Sequence, residues 1–371
     1  MSEVNNITNS KVLVRVCFDL SNLQEIDRIQ DSVETIKILL KNNNKVVLAT
    51  HWGRPNNNEE YNIKDMLTTI NKVFEKNQIT EKLEFFDQTV ESFEEIKDKI
   101  ESSQNQLFIL QNTRYLKDEQ SKEVQIRKNL AKKYALLVYN FVDEAFPVSH
   151  RQEATNSEIK EFIPSFFGIS FNNEIQHLNN LKNTPNRPFV FIMAGAKLET
   201  KLPLIQKMLP KADKVLVGGM LAFTFIKAAS ELYPDQDFPE LFSSKIETDF
   251  LATAKDLLIN YKDKLILPKD FVYGELFGPK EIFDIGKETL AYFKSELATA
   301  KTVFWNGTLG YYEQPPYNMG TLDLADYVAN LSQTFKVMGG GDTNSALPEN
   351  ITSKFDFVSM GGGATIEFLS K

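Results

Sequence analysis

Short apolar, β-branched runs alternate along the whole chain with longer stretches of helical spacing. The runs predict strands over 12–16, 45–50, 83–86, 107–110 and 136–141, then over 189–193, 214–217, 264–267, 302–305, 335–338 and 357–359. The periodic stretches predict helices over 29–40, 63–74, 90–100 and 123–134, then over 199–208, 221–229, 249–260, 287–299, 322–331 and 364–369. Strands that are apolar throughout and alternate with helices read as an α/β fold with parallel sheets. Ligands in such folds bind beyond the carboxyl ends of the strands.

The candidate motifs obey that rule. His51-Trp52-Gly53-Arg54 follows the strand ending at 50, Arg114 follows 107–110, and His150-Arg151 follows 136–141 after a loop. Ala194-Gly195-Ala196-Lys197 follows 189–193, Gly339-Gly340-Gly341-Asp342-Thr343 follows 335–338, and Gly361-Gly362-Gly363 follows 357–359. One strand-end glycine is weak, since tight turns need glycine anyway; many tipped strand ends in one chain carry more weight. The chain divides near 168–187, where 171–181 has helical spacing and Pro185 and Pro188 bracket Arg187. A connecting helix with a stiff, proline-bounded exit suits a hinge. Asn56-Asn57-Asn58 reads as a solvated turn.

Composition sharpens this picture. The chain has 371 residues, enough for two ordinary domains, and 42% are hydrophobic. No apolar run reaches the roughly 18–20 residues of a membrane span, and the N-terminus lacks the basic start and apolar core of a signal peptide. The lone Cys17 permits no internal disulfide, so a reducing cytoplasm is expected. A net charge of −8 argues against a general nucleic-acid binder but not against a small anion held by a local cluster of cations. All seven arginines lie at or before residue 187, whereas fifteen of the 17 glycines come after residue 190. A Lys-, Asn- and Ile-rich coding bias accounts for the scarcity of both but not for their placement. Arginine grips phosphate or carboxylate with a two-pronged fork that lysine cannot copy. The first half therefore reads as built for an anion, and the second for a phosphate cradled by backbone amides.

At the motif level, Asp342 is a hard oxygen ligand suited to Mg²⁺ beside nucleotide phosphates, or else a helix N-cap. Gly361, Gly362 and Gly363 open a helix and can face a phosphoryl group, or serve close packing. Lys197 and Lys201 share a helix face. No zinc set, Gly-x-Ser-x-Gly elbow, Walker loop or dinucleotide fingerprint is present.

Taken together, KVLVRVCFDL, VVLATHWGRP, LFILQNTRYL, VDEAFPVSHR, RPFVFIMAGAKLETKLPLI, VLVGGMLAFTF, TVFWNGTLGYYE, VMGGGDTNSAL and SMGGGATIEFL, in this order, resemble the phosphoglycerate kinase family over essentially the whole chain. The resemblance implies two doubly wound, Rossmann-like parallel-sheet domains joined by a hinge helix. These would be a phosphoglycerate-binding domain over 1–167, a linker over 168–187 and a nucleotide-binding domain over 188–371, with the last residues packing back on the hinge. It implies a substrate patch of Cys17, Asp19, Arg28, His51, Arg54, Arg114 and Arg151. It implies a nucleotide site of Gly195, Ala196, Lys201, Gly219, Asn306, Glu313, Gly340, Gly341, Asp342 and Thr343, with Asp342 on magnesium. Arg28, Lys197, Gly361, Gly362 and Gly363 would attend the phosphoryl group in flight. The reaction implied is in-line transfer between 1,3-bisphosphoglycerate and Mg-ADP, giving 3-phosphoglycerate and Mg-ATP, without a covalent intermediate. A cytoplasmic monomer, with neither nucleic acid nor membrane as partner, is expected.

The chain departs from the family's pattern at several places. Cys17 stands for Asp, Asp19 for Asn, Met220 and Ile282 for Gly, Thr308 for Pro and Pro147 for Gly, and the chain stops soon after Gly363. Two other readings are a degenerate homologue that binds without turnover and a two-domain dehydrogenase. Joint retention of Arg28, Lys197 and Asp342 weighs against the first, and the missing fingerprint against the second.

Overall fold

A computed structural model describes residues 3–24, 26–55, 60–242, 246–276 and 280–371. The Asn56–Asn58 turn lies outside them. The chain divides into two compact units, Met1–Gln176 and His177–Lys371.

Unit 1 is built on β1 (Lys11–Arg15), β2 (Lys45–Ala49), β3 (Leu83–Phe85), β4 (Leu107–Ile109), β5 (Asn140–Asp143) and β6 (Ser165–Phe167). They form one sheet in the order β3-β4-β2-β1-β5-β6, with every pair parallel. Alternation sends Val12, Val14, Val46 and Leu48 into one apolar layer and Leu13, Val47 and Ala49 into the other. Helices cover both faces. The helix Ile63–Lys76 shows why: Asn62 caps it by accepting the Lys64 amide at 2.9 Å, and Ile63, Met66, Ile70, Val73 and Phe74 form its buried stripe.

Unit 2 contains β7 (Phe189–Met193), β8 (Lys214–Val217), β9 (Leu265–Ile266), β10 (Phe271–Gly274), β11 (Glu281–Ile285), β12 (Thr302–Asn306), β13 (Phe335–Gly339) and β14 (Phe357–Ser359). The parallel sheet runs β14-β13-β12-β7-β8-β9, and β10 pairs with β11 as a separate antiparallel ribbon. Its central strands β7 and β12 are buried at every position, as continuous apolar runs covered on both faces must be.

Three expectations shift. The strand expected over 136–141 begins only at Asn140. Leu136 and Leu137 are still bonded back to Lys132 and Tyr134 as the end of the preceding helix, and an apolar run does not by itself tell a buried helix end from a strand. The helix expected over 29–40 is two helices, Asp27–Gln30 and Val33–Lys41. At the break the Ser32 hydroxyl donates to the Ile29 carbonyl at 2.9 Å, competing with the helical ladder. The pattern did not predict β6 or the β10–β11 ribbon. Among the described residues, no helix is long and apolar enough to cross a membrane.

Candidate functional site

In unit 1 the polar groups gather where the parallel strands end. The Asp19 Oδ1 accepts the Gly53 amide at 2.8 Å, and its Oδ2 lies 3.4 Å from His51 Nε2. Arg114 Nη1 donates to the Gly53 carbonyl at 2.6 Å. Three strand-end loops thus bring Asp19, His51 and Arg114 together around Gly53. Arg28 Nη1 donates to Cys17 Sγ at 3.3 Å, and Cys17 packs with Ala145 and Val148. Arg151 is close enough to Arg114 for their charges to repel, whereas Arg54 stands exposed on the loop after Gly53. Burial pushes the Asp19 carboxyl up, but His51, the Gly53 amide and Arg28 outweigh it and hold the group well below the usual carboxylate range.

Beneath this patch lies a layer that the sequence reading missed. Arg15, the last residue of β1, is fully buried and donates to Thr155 Oγ1 at 2.9 Å, the Val16 carbonyl at 2.6 Å and Glu153 Oε2 at 3.1 Å. Its Nη2 also lies 3.0 Å from His51 Nδ1. Glu153 in turn accepts Gln120 Nε2 at 2.7 Å and lies 3.6 Å from Arg114 Nη2. Thr155 donates to Glu119, whose carboxyl burial pushes up to about 7, with Glu153 adding to the shift and Arg15 opposing it. Arginine parsimony was the available signal, but it marked ion pairs as well as the strand-end patch. Arg127 pairs with buried Glu158 at 2.6 Å, and Arg187 with Asp213 at 2.7 Å.

Unit 2 holds a cavity of about 310 Å³, lined by Gly195, Ala196, Gly219, Met220, Thr308, Glu313 and Asp342, with Phe271, Ile282, Phe283 and Asp284 supplied by the β10–β11 ribbon and its flank. Gly307, at φ +97°, lets β12 pass β7: a Cβ there would sit 1.8 Å from the Ala194 carbonyl oxygen. Gly340, at φ +108°, opens the short helix Gly341–Ala346, and nothing lies within 4 Å of where a Gly341 Cβ would be. Asp342 is exposed in the first turn of that helix, and Glu313 is exposed at the cavity. Lys201 donates to the Ala194 carbonyl; burial lowers its ammonium to about 8, with Asp342 opposing. Lys197 is exposed at the N-cap of the helix Leu198–Met208.

Two donors predicted for phosphate already have protein partners. Asn306 Nδ2 donates to the Gly339 carbonyl at 2.7 Å. Thr343 Oγ1 accepts the Gly307 amide at 2.7 Å and donates to the Gly339 carbonyl at 3.1 Å, so its hydroxyl braces the turn. The start of the Lys197 helix is likewise engaged, since Glu247 accepts the Leu198 amide at 2.7 Å. Gly362, at φ +52°, caps the last helix, Gly363–Ser370, and nothing lies within 4 Å of its Cβ position. Ser359 Oγ accepts the Gly361 amide at 3.2 Å. Among the described residues, no three His, Cys, Asp or Glu side chains are grouped to hold a metal. A cation on Asp342 would therefore complete its shell with ligand phosphates and water, which suits Mg²⁺.

The model of the phosphoglycerate kinase family matches residues 1–371. The chain is 33% identical to the phosphoglycerate kinase of Coprothermobacter proteolyticus, covering 98% of this chain and 94% of the relative. It is 33% identical to that of Finegoldia magna with the same coverage. Among solved structures, the phosphoglycerate kinase of Pyrococcus horikoshii superposes with a TM-score of 0.82 at 24% identity, covering 98% of this chain and 94% of that one. The one from Coxiella burnetii superposes with a TM-score of 0.78 at 25% identity and the same coverage.

Proposed function

The chain belongs to the phosphoglycerate kinase family, and from that premise we propose how its two units divide the reaction. The reaction is reversible phosphoryl transfer between 1,3-bisphosphoglycerate and ADP, giving 3-phosphoglycerate and ATP in glycolysis. The observation that carries the division is the gathering of Arg28, His51, Arg114 and Asp19 at the strand ends of unit 1, whereas unit 2 holds a glycine-lined cavity. Arg28, Arg54, Arg114 and Arg151 take the anionic glycerate ligand, with Asp19 and His51 orienting it. Cys17 lies at the edge of this patch, packed with Ala145 and Val148 and in contact with Arg28.

The cavity of unit 2 takes the nucleotide. Its base lies between Gly195, Ala196 and Gly219, with the ribose at Glu313. The phosphates lie toward Lys201 and the amides of Gly340, Gly341 and Asp342, with Mg²⁺ on the Asp342 carboxylate. Asn306 and the Thr343 hydroxyl act at one remove, by holding the 339–343 turn. Lys197, Arg28 and the Gly361, Gly362 and Gly363 amides stabilise charge on the phosphoryl group in flight. Positioning and electrostatics suffice, because the transition state asks for no covalent help. Ligands on separate units require closure about the linker before transfer. The working form is a cytoplasmic monomer.

A coupled assay with 3-phosphoglycerate and Mg-ATP tests the whole reading. NADH oxidation through added glyceraldehyde-3-phosphate dehydrogenase is expected. No turnover from a folded chain that still binds both ligands would leave only a binding relic.

A further inference from the structure

His51 and Arg15 meet in a way the transfer mechanism does not use. Arg15 Nη2 lies 3.0 Å from His51 Nδ1, and both side chains are buried. A guanidinium has only donors. His51 Nδ1 must then accept, and the imidazole proton must sit on Nε2, the nitrogen that faces the partly exposed Asp19 carboxylate at 3.4 Å. Protonating Nδ1 would set two donors against each other and break the contact.

Arg15 is itself held from three further sides, by Thr155 Oγ1, the Val16 carbonyl and Glu153 Oε2, so it cannot swing away. Glu153 lies between two arginines, Arg15 at 3.1 Å and Arg114 at 3.6 Å, and so offsets cationic charge under the patch. We propose that Arg15, fixed by Glu153 and Thr155, is a positioning residue for the glycerate site: it holds His51 as a neutral imidazole whose Nε2–H is the donor presented to Asp19 and to an anionic oxygen of the substrate. This rests on the reading of that patch as the glycerate site. The charged groups facing His51 are Asp19, Arg15, Arg114 and Glu153. Burial comes first among the causes that lower its pKa to about 4; the two arginines add to the shift and Asp19 opposes it.

The test is nitrogen-resolved NMR of the imidazoles in the full-length chain. There are three histidines, and His51→Gln identifies the His51 signals. Wild type should show Nδ1 unprotonated and Nε2 protonated from pH 6 to 8, with no titration of His51 in that range. A proton on Nδ1, or a midpoint near the ordinary histidine value, overturns the proposal without needing any variant. Adding 3-phosphoglycerate should shift the His51 Nε2 signal. If the tautomer is as stated but 3-phosphoglycerate leaves the signal unmoved, the glycerate-site reading fails instead.

The double variant Arg15→Met/Glu153→Gln removes the donor without stranding a buried carboxylate. In it His51 should regain a titration between pH 5 and 7. Loss of one oriented hydrogen bond should raise KM for 3-phosphoglycerate roughly three- to tenfold, with a smaller change in kcat. A folded double variant whose His51 tautomer and KM match wild type would equally overturn the assignment.

Discussion

Arg28 and Cys17 meet in a contact that can be tested at the residue scale. The guanidinium reaches the sulfur at 3.3 Å and also helps keep Asp19 ionised. Lysine at position 28 would keep the charge but lose the planar fork. Arg28→Lys should therefore lower kcat by more than it raises KM for 3-phosphoglycerate, as steady-state rates will show; an unchanged kcat would reduce Arg28 to an anchor. Cys17 is nearly buried and is a poor hydrogen-bond acceptor. A carboxylate there would gain Arg28 as a charge-assisted partner and offer the substrate hydroxyl an acceptor. Cys17→Asp should lower KM for 3-phosphoglycerate roughly three- to tenfold. A KM that holds level or rises would assign the hydroxyl contact to Asp19 and leave Cys17 a packing residue.

At the scale of elements, the turns after β12 and β13 work as one unit. The Gly307 amide bonds Thr343 Oγ1, Thr343 bonds the Gly339 carbonyl, and so does Asn306. This lock holds the 339–343 amides at the mouth of the cavity. Gly307→Ala would press a methyl into the Ala194 carbonyl at a φ that side chains avoid, at a cost on the order of 2–4 kcal/mol. Thermal unfolding should move down accordingly, and ADP affinity should fall in calorimetric titration. Wild-type affinity in that variant would mean the lock is not needed for the phosphate turn. The β10–β11 ribbon contributes differently: it sets Phe271, Ile282 and Phe283 against the cavity and so limits its width.

For the whole molecule, buried carboxyls govern the response to pH. Glu119 and Glu144 are both raised to about 7 from 4.5, chiefly by burial. A raised carboxyl means that the folded chain binds more protons than the unfolded chain between those values, so these two groups make stability fall as pH climbs through that window. Asp19 acts oppositely, contributing stability above the ordinary carboxylate range that is lost as pH drops below it. Calorimetry of Glu119→Gln should show a flatter decline of Tm from pH 5 to 8 than wild type. An identical slope would mean that Glu119 is ionised throughout. Small-angle scattering addresses closure: the radius of gyration should contract most when 3-phosphoglycerate and Mg-nucleotide are present together, and a constant radius would argue against transfer across a hinge.

The sequence by itself determined the α/β class, most of the strand–helix alternation and the tipping of strand ends with Arg, His, Lys and Gly, because periodicity and apolar runs are local properties of a chain. It also carried enough motifs in order to point to the family. It could not separate helix end from strand at Leu136–Tyr139, because a short apolar run fits either. Only the tertiary structure decided that Arg15, Glu119, Glu153 and Thr155 form one buried layer under the patch, joining positions up to 140 residues apart. It also decided that Asn306 and the Thr343 hydroxyl brace a turn, and that Glu247 accepts the Leu198 amide at the start of the Lys197 helix. Hydrogen bonds and buried charges depend on which groups meet in space, and in a sheet ordered β3-β4-β2-β1-β5-β6 the β4-β2 and β1-β5 pairings bring together segments far apart in sequence.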